Sequence, residues 1–213
     1  MAGLASRLRL IASILGVVLA GYAVGTIIDA FRVPGMVLDE TPALRDLRDA
    51  RDAPRLGPDD AGKTVIVFTD YQCSNCRIDE PGLAQTARET PAVRFIFKEW
   101  AIISPASGDA ARVALASSYQ GRYPAVRDAL MRARMPLSPD RIREAVEAAG
   151  ADWQRLERDL ARHGRAIDAE LARTSRQAFG LGLPGTPAYL VGNRLVVGRL
   201  SARQLRRLID RAE

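Results

Sequence analysis

Two cysteines between an apolar run and a helix-like segment are the strongest constraint in this sequence. Cys73 and Cys76 are the only cysteines of the chain and are three positions apart. Residues 64–69 are apolar or β-branched at both parities, which predicts a central strand buried on both faces. A thiol at the following helix N-terminus faces unpaired backbone N–H groups and the positive end of the helix dipole, and both stabilise a thiolate. The arrangement favours thiol–disulfide exchange, with Cys73 as an exposed nucleophile and Cys76 as the buried resolving thiol.

Two other uses of the cysteines have less support. A zinc site needs about four ligands, and the chain offers these two cysteines and one histidine, His163, which lies far away in a helical region. A structural disulfide between Cys73 and Cys76 would close a loop too short to remove much entropy from the unfolded chain. Redox activity is therefore the favoured interpretation, with no metal and no cofactor besides a Cys73–Cys76 disulfide.

An uncharged N-terminal stretch predicts where the protein resides. Residues 10–28 carry no charge, and Arg7 and Arg9 precede them. About 20 apolar residues span a bilayer as a helix, and basic residues keep the N-terminal side in the cytoplasm. We expect an uncleaved anchor in the inner membrane; a signal peptide cleaved near residues 21–23 is the alternative. Either one delivers the rest of the chain to the periplasm or another extracytoplasmic, oxidising compartment.

The net charge of +6 does not indicate a protein that binds nucleic acid. All basic residues except Lys63 and Lys98 are arginines, and they alternate with acidic residues along helical segments, as in residues 155–159. This pattern is typical of solvated helix faces with local ion pairs. The sequence has no nucleic-acid motif and no basic patch interleaved with aromatic residues. We therefore expect protein partners and no nucleic acid.

The rest of the pattern predicts an α/β chain with a helical insertion. A second strand follows the dithiol helix at residues 93–97, which indicates a β-α-β unit with a right-handed crossover. Residues 105–180 are helical almost throughout, with separate helices at 152–163 and 167–179, and a β-β-α unit follows. We expect a mixed central sheet with an inserted all-helical domain. The predicted segments are residues 1–30 (anchor or signal peptide), 31–62 (linker and short helix), 63–104 (first part of the α/β domain, with the dithiol), 105–180 (helical insertion) and 181–213 (second part, with a Thr-Pro loop).

Several motifs occur in the order typical of one family. The dithiol is followed, within residues 52–211, by three further motifs: Phe97-Lys98-Glu99-Trp100, Gly185-Thr186-Pro187-Ala188 and the turn Gly192-Asn193. With these motifs the chain resembles the DsbA-type thiol–disulfide oxidoreductases of the thioredoxin-like superfamily.

The resemblance implies a thioredoxin-like fold and disulfide exchange with cysteine-containing secreted or periplasmic proteins. It also implies a quinone-linked membrane partner that reoxidises the dithiol of an oxidase. The site residues that it implies are the catalytic pair Cys73 and Cys76, the substrate-binding Thr186 and Pro187 in a loop with a cis peptide bond, and the thiolate-tuning Ser74, Asn75, Lys98 and Glu99.

Two departures from the family pattern bear on the chemistry. The dipeptide Ser74-Asn75 stands where the family usually has Pro followed by His or Tyr. We therefore expect a smaller lowering of the nucleophile's pKa, which makes a weaker oxidant. Val67 occupies the position of a buried acid that can relay protons near the resolving cysteine, and this leaves that role to Lys98, Glu99 or water.

These observations favour an extracytoplasmic oxidase, and two alternatives stay open. A disulfide reductase or isomerase would use the same residues and differ only in redox poise and partner. A non-catalytic binding module would hold a partner between the helical insertion and the Thr-Pro loop, with the dithiol as a labile structural bond.

Overall fold

The apolar run before the dithiol forms the central strand of a six-stranded mixed sheet. In the computed structural model, which describes residues 14–22, 34–50 and 52–212, this strand is β3, Lys63–Thr69. It pairs in parallel with β4, Val93–Glu99, and antiparallel with β5, Ala188–Val191. Every residue of β3 after Lys63 is buried, as predicted for a strand covered on both faces.

Two further strand pairs complete the sheet, which has the order β1-β6-β5-β3-β4-β2. The strand β6, Arg194–Val197, forms a hairpin with β5. The edge strands β1, Met36–Val37, and β2, Arg55–Leu56, pair with β6 and β4. Both edge strands come from the segment predicted as a linker with a short helix. These strands were not predicted, because a segment of two residues is too short to show a periodicity.

Seven helices with assigned bounds surround the sheet in the described part of the chain. A short helix precedes β2, the dithiol helix joins β3 to β4, four helices join β4 to β5, and the last follows β6. They are α1 Pro42–Arg48, α2 Ser74–Glu89, α3 Pro105–Ser117, α4 Tyr123–Arg132, α5 Pro139–Ala148, α6 Trp153–Gly180 and α7 Ala202–Arg211.

The long helix α6 corrects the prediction of two separate helices at 152–163 and 167–179. The gap between the two predicted helices, which includes Gly164, lies inside α6, because a glycine weakens a helix by only about 1 kcal/mol relative to Ala. A side chain at this position would approach the Arg112 guanidinium of α3 at 3.4 Å. Arg112 also forms an ion pair with Asp168 of α6. The glycine therefore lies where α3 packs closely against α6.

The two faces of the sheet carry different helices. Side chains alternate between the faces of a strand, and Phe68 and Ile96 pack in one cluster with Leu47 of α1 and Ala178 of α6. On the other face α2 packs against α7. Gly82 of α2 allows a close approach there, because a Cβ atom at this position would lie only 3.3 Å from the Cβ of Ala202. The dithiol helix is thus fixed on the face opposite to α6.

The N-terminal unit is described only in part. Residues 14–22 are helical and exposed, whereas the rest of the predicted membrane segment 10–28 lies outside the described residues. Among the residues that the structure describes, no helix is both long and apolar enough to span a bilayer.

A buried ion pair joins β4 to the helical insertion. The Lys98 side chain is fully buried, and its Nζ lies 2.6 Å from Oε1 of Glu170 in α6. Burial lowers the pKa of Lys98, and Glu170 opposes that shift. Removing one partner of such a pair leaves an uncompensated buried charge.

We expect Lys98→Met to lower the free energy of unfolding by about 3–5 kcal/mol, because Glu170 loses its buried partner and keeps only the half-exposed Arg173, at 3.5 Å. The double variant Lys98→Met/Glu170→Met should recover most of that loss, since two apolar side chains replace two charges. Guanidinium unfolding of wild type and both variants measures the differences. A single variant as stable as wild type would contradict the expectation.

Candidate active site

The dithiol lies at the junction of β3 and α2. Cys73 is the N-cap residue of α2, with extended backbone angles (φ −77°, ψ 113°), and its Sγ accepts a hydrogen bond of 3.3 Å from the backbone N–H of Cys76. The backbone N–H of Cys73 donates to the carbonyl of Asp70 at 3.1 Å. Both cysteines are free thiols. The sulfur thus occupies the position where unpaired helix N–H groups stabilise an anion, as predicted.

A hydrogen-bonded carboxylate fixes the loop in front of the dithiol. Asp70 is buried, and its Oδ1 accepts from the Gln72 backbone N–H at 2.7 Å and the Ser107 hydroxyl at 2.8 Å. Its Oδ2 accepts from the backbone N–H groups of Ile102 and Ile103 at 2.8 and 3.1 Å. This role of Asp70 was not predicted from the sequence. One sequence signal could have indicated it: an aspartate side chain readily accepts a hydrogen bond from the backbone N–H two residues later, as in an Asx-turn.

Arg77 ties the dithiol helix to the helical insertion. Its guanidinium donates to the carbonyls of Tyr71 and Leu130, both at 2.9 Å, and to the carbonyl of Ala133. Leu130 and Ala133 lie at the C-terminal end of α4, where carbonyl groups lack helical partners. No sequence signal pointed to these contacts, because the acceptors in α4 are more than fifty positions away.

The Thr-Pro loop closes the site from β5. The Cys73 thiol donates to the Thr186 carbonyl oxygen at 3.3 Å, and the peptide bond between Thr186 and Pro187 is cis, the isomer that the resemblance implied. The antiparallel pairing of Phe68 with Ala188 explains this meeting of residues 113 positions apart. The Pro187 carbonyl is already bonded to the Gly198 N–H at 2.9 Å.

The two thiols differ in acidity rather than in exposure. The predicted exposed position of Cys73 is wrong: Cys73 is 5% exposed and Cys76 is 4% exposed, because Thr186 lies against the Cys73 sulfur. A hydrogen bond from the Cys76 thiol lowers the pKa of Cys73 to about 6; burial opposes the shift, and the Thr186 side chain and the N–H groups of Cys76 and Asn75 support it. The same thiol–thiol bond, with burial, raises the pKa of Cys76 well above that of a free thiol.

The four residues predicted to tune the thiolate have different surroundings. The side chains of Ser74 and Asn75 are exposed, and Asn75 acts on Cys73 through its backbone N–H. Lys98 points to the α6 face of the sheet and binds Glu170. In the part of the chain that the structure describes, neither Lys98 nor Glu99 hydrogen-bonds to a cysteine. A role for either in tuning the thiolate stays a prediction.

A comparison with models of known protein families identifies the family of this chain. The DSBA-like thioredoxin domain matches residues 64–210, well over half of the chain, and this range includes both cysteines and the Thr186-Pro187 loop. The chain belongs to the DsbA-like thioredoxin family. The resemblance based on the motifs and the thioredoxin-like α/β fold are thereby confirmed.

Solved structures show the same fold. A thioredoxin-like oxidoreductase from Silicibacter pomeroyi is 33% identical, with a TM-score of 0.74, and the match covers 78% of this chain and 96% of that one. A periplasmic thioredoxin-like protein from Salmonella enterica serovar Typhimurium is 26% identical, with a TM-score of 0.68 and coverages of 81% and 97%. The thiol-disulfide exchange protein alpha-DsbA2 from Wolbachia pipientis is 23% identical, with a TM-score of 0.75 and coverages of 78% and 90%, and supports the fold alone.

Two curated relatives are much longer than this chain. The Na(+)/H(+) antiporter NhaA 3 of Salinispora tropica is 26% identical over 140 residues, which are 65% of this chain and 21% of the antiporter. The Na(+)/H(+) antiporter NhaA 1 of Salinispora arenicola matches over the same shares at 25% identity. The chain thus spans about a fifth of the length of these relatives.

In the DsbA-like domain, Glu99 lies in a buried polar cluster beside the dithiol loop. Its Oε1 accepts from the hydroxyl of Tyr71, two residues before Cys73, at 2.8 Å, and from the hydroxyl of Tyr123 in α4. Among the described residues its Oε2 has no hydrogen-bond partner. Burial raises the pKa of Glu99 to about 7, although the charge of Arg127 opposes the shift.

Arg127 connects this cluster to α2. It forms a buried ion pair with Glu80, and its guanidinium lies over the ring of Phe97, 4.3 Å from the centroid. The cluster therefore holds α4 against both α2 and β4. In the described residues, no three His, Cys, Asp or Glu side chains are grouped so as to hold a metal ion.

Glu99→Gln should remove a pH dependence of stability. The folded protein binds the Glu99 proton more tightly than the unfolded chain, so the free energy of unfolding falls as pH rises from about 4.5 to about 7. At ~1.4 kcal/mol per pKa unit, the fall is roughly 3 kcal/mol. Urea unfolding at both ends of this window measures it.

The Gln variant keeps an amide oxygen for the two tyrosine hydroxyls but carries no titrating proton. Glu147→Gln, at a surface ion pair with Arg143, is the matched control. A wild-type profile that parallels the Glu99→Gln profile across the window would contradict the expectation.

Proposed function

We propose that this chain is an extracytoplasmic thiol–disulfide oxidoreductase that exchanges disulfides with cysteine-containing proteins. Cys73 is the nucleophile and Cys76 the resolving thiol. The proposal rests mainly on the position of the Cys73 sulfur, which caps the N-terminus of α2 and lies 3.3 Å from the Thr186 carbonyl oxygen. Membership of the DsbA-like thioredoxin family supports it.

The oxidase reaction follows from the different acidities of the two thiols. A substrate thiolate attacks Cys73, the Cys73–Cys76 bond breaks, and Cys76 leaves as a thiolate that takes up a proton. The second substrate thiolate then attacks the substrate sulfur of the mixed disulfide, and Cys73 leaves as a thiolate. The substrate has lost two electrons and the dithiol has gained them. Helix N–H groups and the Cys76 thiol stabilise the leaving Cys73 thiolate.

The acidity of Cys73 favours the oxidase direction. A free cysteine titrates near ~8.5, whereas the pKa of Cys73 is about 6 despite Ser74-Asn75 between the cysteines. Stabilising the thiolate stabilises the reduced form and makes the disulfide a better oxidant. An oxidase needs a partner that reoxidises the dithiol, and by analogy with the family we propose a quinone-linked membrane protein. A reductase would need a more negative potential at the same residues, and an isomerase would need the dithiol kept reduced.

Exposed apolar side chains around the dithiol fit a protein substrate. Ile102 and Ile103, bonded through their N–H groups to Asp70, are 43% and 51% exposed. A segment that presents a cysteine in extended conformation would contact this surface and the Thr186 backbone.

An extracytoplasmic location is part of the proposal. It rests on the uncharged residues 10–28 behind Arg7 and Arg9, and on the 26% identical relative that is described as periplasmic. A membrane anchor is proposed from the sequence of residues 10–28 alone.

Alkylation of the reduced protein tests the nucleophile. We expect iodoacetamide to modify Cys73 with a rate that is half-maximal near pH 6, because the thiolate is the reactive species. Cys76→Ala should move the midpoint to higher pH, since it removes the hydrogen bond that contributes most to the low value. A Cys73 that reacts only above about pH 8, like a free thiol, would contradict the proposal.

Trapping separates an enzyme from a binding module. Cys76→Ala leaves mixed disulfides on Cys73 unresolved, so we expect it to accumulate covalent, reductant-sensitive complexes with extracytoplasmic proteins. Cys73→Ser/Cys76→Ala, which lacks the nucleophile, is the matched control. Equal complex formation by both variants would favour the binding module.

A further inference from the structure

A second buried carboxylate lies one turn beyond the dithiol on the same helix. Asp79 is 5% exposed, and Cys76 and Asp79 both belong to the buried face of α2. Residues three apart on a helix are neighbours, with Cβ atoms about 5–6 Å apart. Burying a charged carboxylate is costly unless hydrogen bonds compensate it. The hydrogen-bond partners of the Asp79 carboxylate therefore bear on its role.

Asp79 is bonded by a buried phenol that lies across the sheet from Val67. The Tyr189 hydroxyl donates to Asp79 Oδ2 at 3.1 Å. Tyr189 of β5 is 2% exposed and stands directly opposite Val67 of β3. Burial raises the pKa of Tyr189, the charge and hydrogen bond of Asp79 add to this, and so does the charge of Cys76. The phenol therefore lies on the α2 side of the sheet, bonded to a carboxylate one helical turn from Cys76.

Two further donors hold the carboxylate in place. The Leu200 backbone N–H donates to Oδ2 at 2.7 Å and the Arg199 Nε to Oδ1 at 3.0 Å. They tie Asp79 to the loop between β6 and α7. These contacts alone would give Asp79 a structural role. A test of a role in proton transfer must therefore separate that role from structural support.

The chemistry of Cys76 requires a proton acceptor at this depth. To resolve a mixed disulfide, Cys76 must lose its proton, yet it is 4% exposed. In the reduced protein the bond to Cys73 and burial both raise the pKa of Cys76, and burial remains when Cys73 is part of a mixed disulfide. Val67 supplies no acid, and Lys98 and Glu99 bind other partners. Besides Asp79, the charged or titratable groups that act on the Tyr189 and Cys76 region are Cys73, Glu80, which is paired with Arg127, and Arg199.

We infer that Asp79, acting through the Tyr189 hydroxyl, accepts the proton of the Cys76 thiol as Cys76 attacks the mixed disulfide. The proton passes from Cys76 to the phenol oxygen while the phenol proton passes to Asp79. The Cys76 sulfur forms a bond to Cys73, the bond between Cys73 and the partner sulfur breaks, and the partner leaves as a thiolate. In the oxidase direction the same pair returns the proton to Cys76. The inference rests on the proposed exchange activity.

A two-step reaction with one equivalent of 5,5′-dithiobis(2-nitrobenzoate) isolates the step. The Cys73 thiolate releases one thionitrobenzoate in a first phase, and attack by Cys76 releases the second. We expect Asp79→Asn and Tyr189→Phe to keep the first-phase rate within about twofold and to slow the second phase about tenfold or more, since general acid–base catalysis contributes about 10²–10⁴.

The pH profile separates proton transfer from structural support. Between pH 6 and 8 the wild-type second phase should change little, whereas in both variants it should rise about tenfold per pH unit, because bulk solvent must then deprotonate Cys76. Asp159→Asn, a buried aspartate of α6 near Arg155, is the matched control and should leave the second phase unchanged. Tyr189→Phe keeps the buried ring and carries the test if Asp79→Asn does not fold.

Two results would overturn the inference. One is a second phase with wild-type rate and pH profile in Tyr189→Phe; the other is an equal slowing of both phases without a change of pH profile, which shows structural support alone. A wild-type protein without a first phase at neutral pH contradicts the proposed function, and the inference falls with it. A normal first phase with an unaffected second phase contradicts the inference alone.

Discussion

The hydrogen bonds to the Cys73 sulfur at the start of α2 are the interaction on which the site depends. The sulfur replaces the oxygen of an ordinary N-cap side chain, so the helix N–H groups that need a partner are the groups that stabilise a thiolate. This arrangement works only if the loop before the helix cannot move. Asp70 fixes that loop through four hydrogen bonds, and the pairing of β3 with β5 brings Thr186 to the sulfur.

The last residues of β4 couple the site to the helical insertion from both faces of the sheet. Lys98 and Glu99 point in opposite directions because side chains alternate along a strand. Lys98 binds Glu170 of α6, and Glu99 binds Tyr123 of α4. Both contacts are buried, where an unpaired polar group is costly. The position of the insertion beside the dithiol is therefore set by polar pairing as well as by apolar packing.

Local patterns in the sequence predicted the central strand, the dithiol at a helix start, the order of the main elements along the chain and the Thr186-Pro187 loop, since each depends on neighbouring residues or on family motifs. The sequence did not predict contacts between distant positions, such as Tyr71 with Glu99 and Tyr123, because no periodicity encodes them. The helices predicted at 152–163 and 167–179 form one helix, because a glycine such as Gly164 weakens a helix without ending it. The exposure assigned to Cys73 was wrong because the covering residue comes from another strand.

One hydrogen bond between the thiols acts in opposite directions on their acidities. The bond that the Cys76 thiol donates lowers the pKa of Cys73 and raises that of Cys76. This bond exists only while both cysteines are reduced, whereas the burial of Cys76 remains when Cys73 is part of a mixed disulfide. In the exchange that we propose, Cys76 must lose a proton at a buried position, and a nearby base assists such a step. In this chain Val67 is apolar, and the buried carboxylate is instead on the dithiol helix itself, at Asp79, with Tyr189 facing Val67 across the strands.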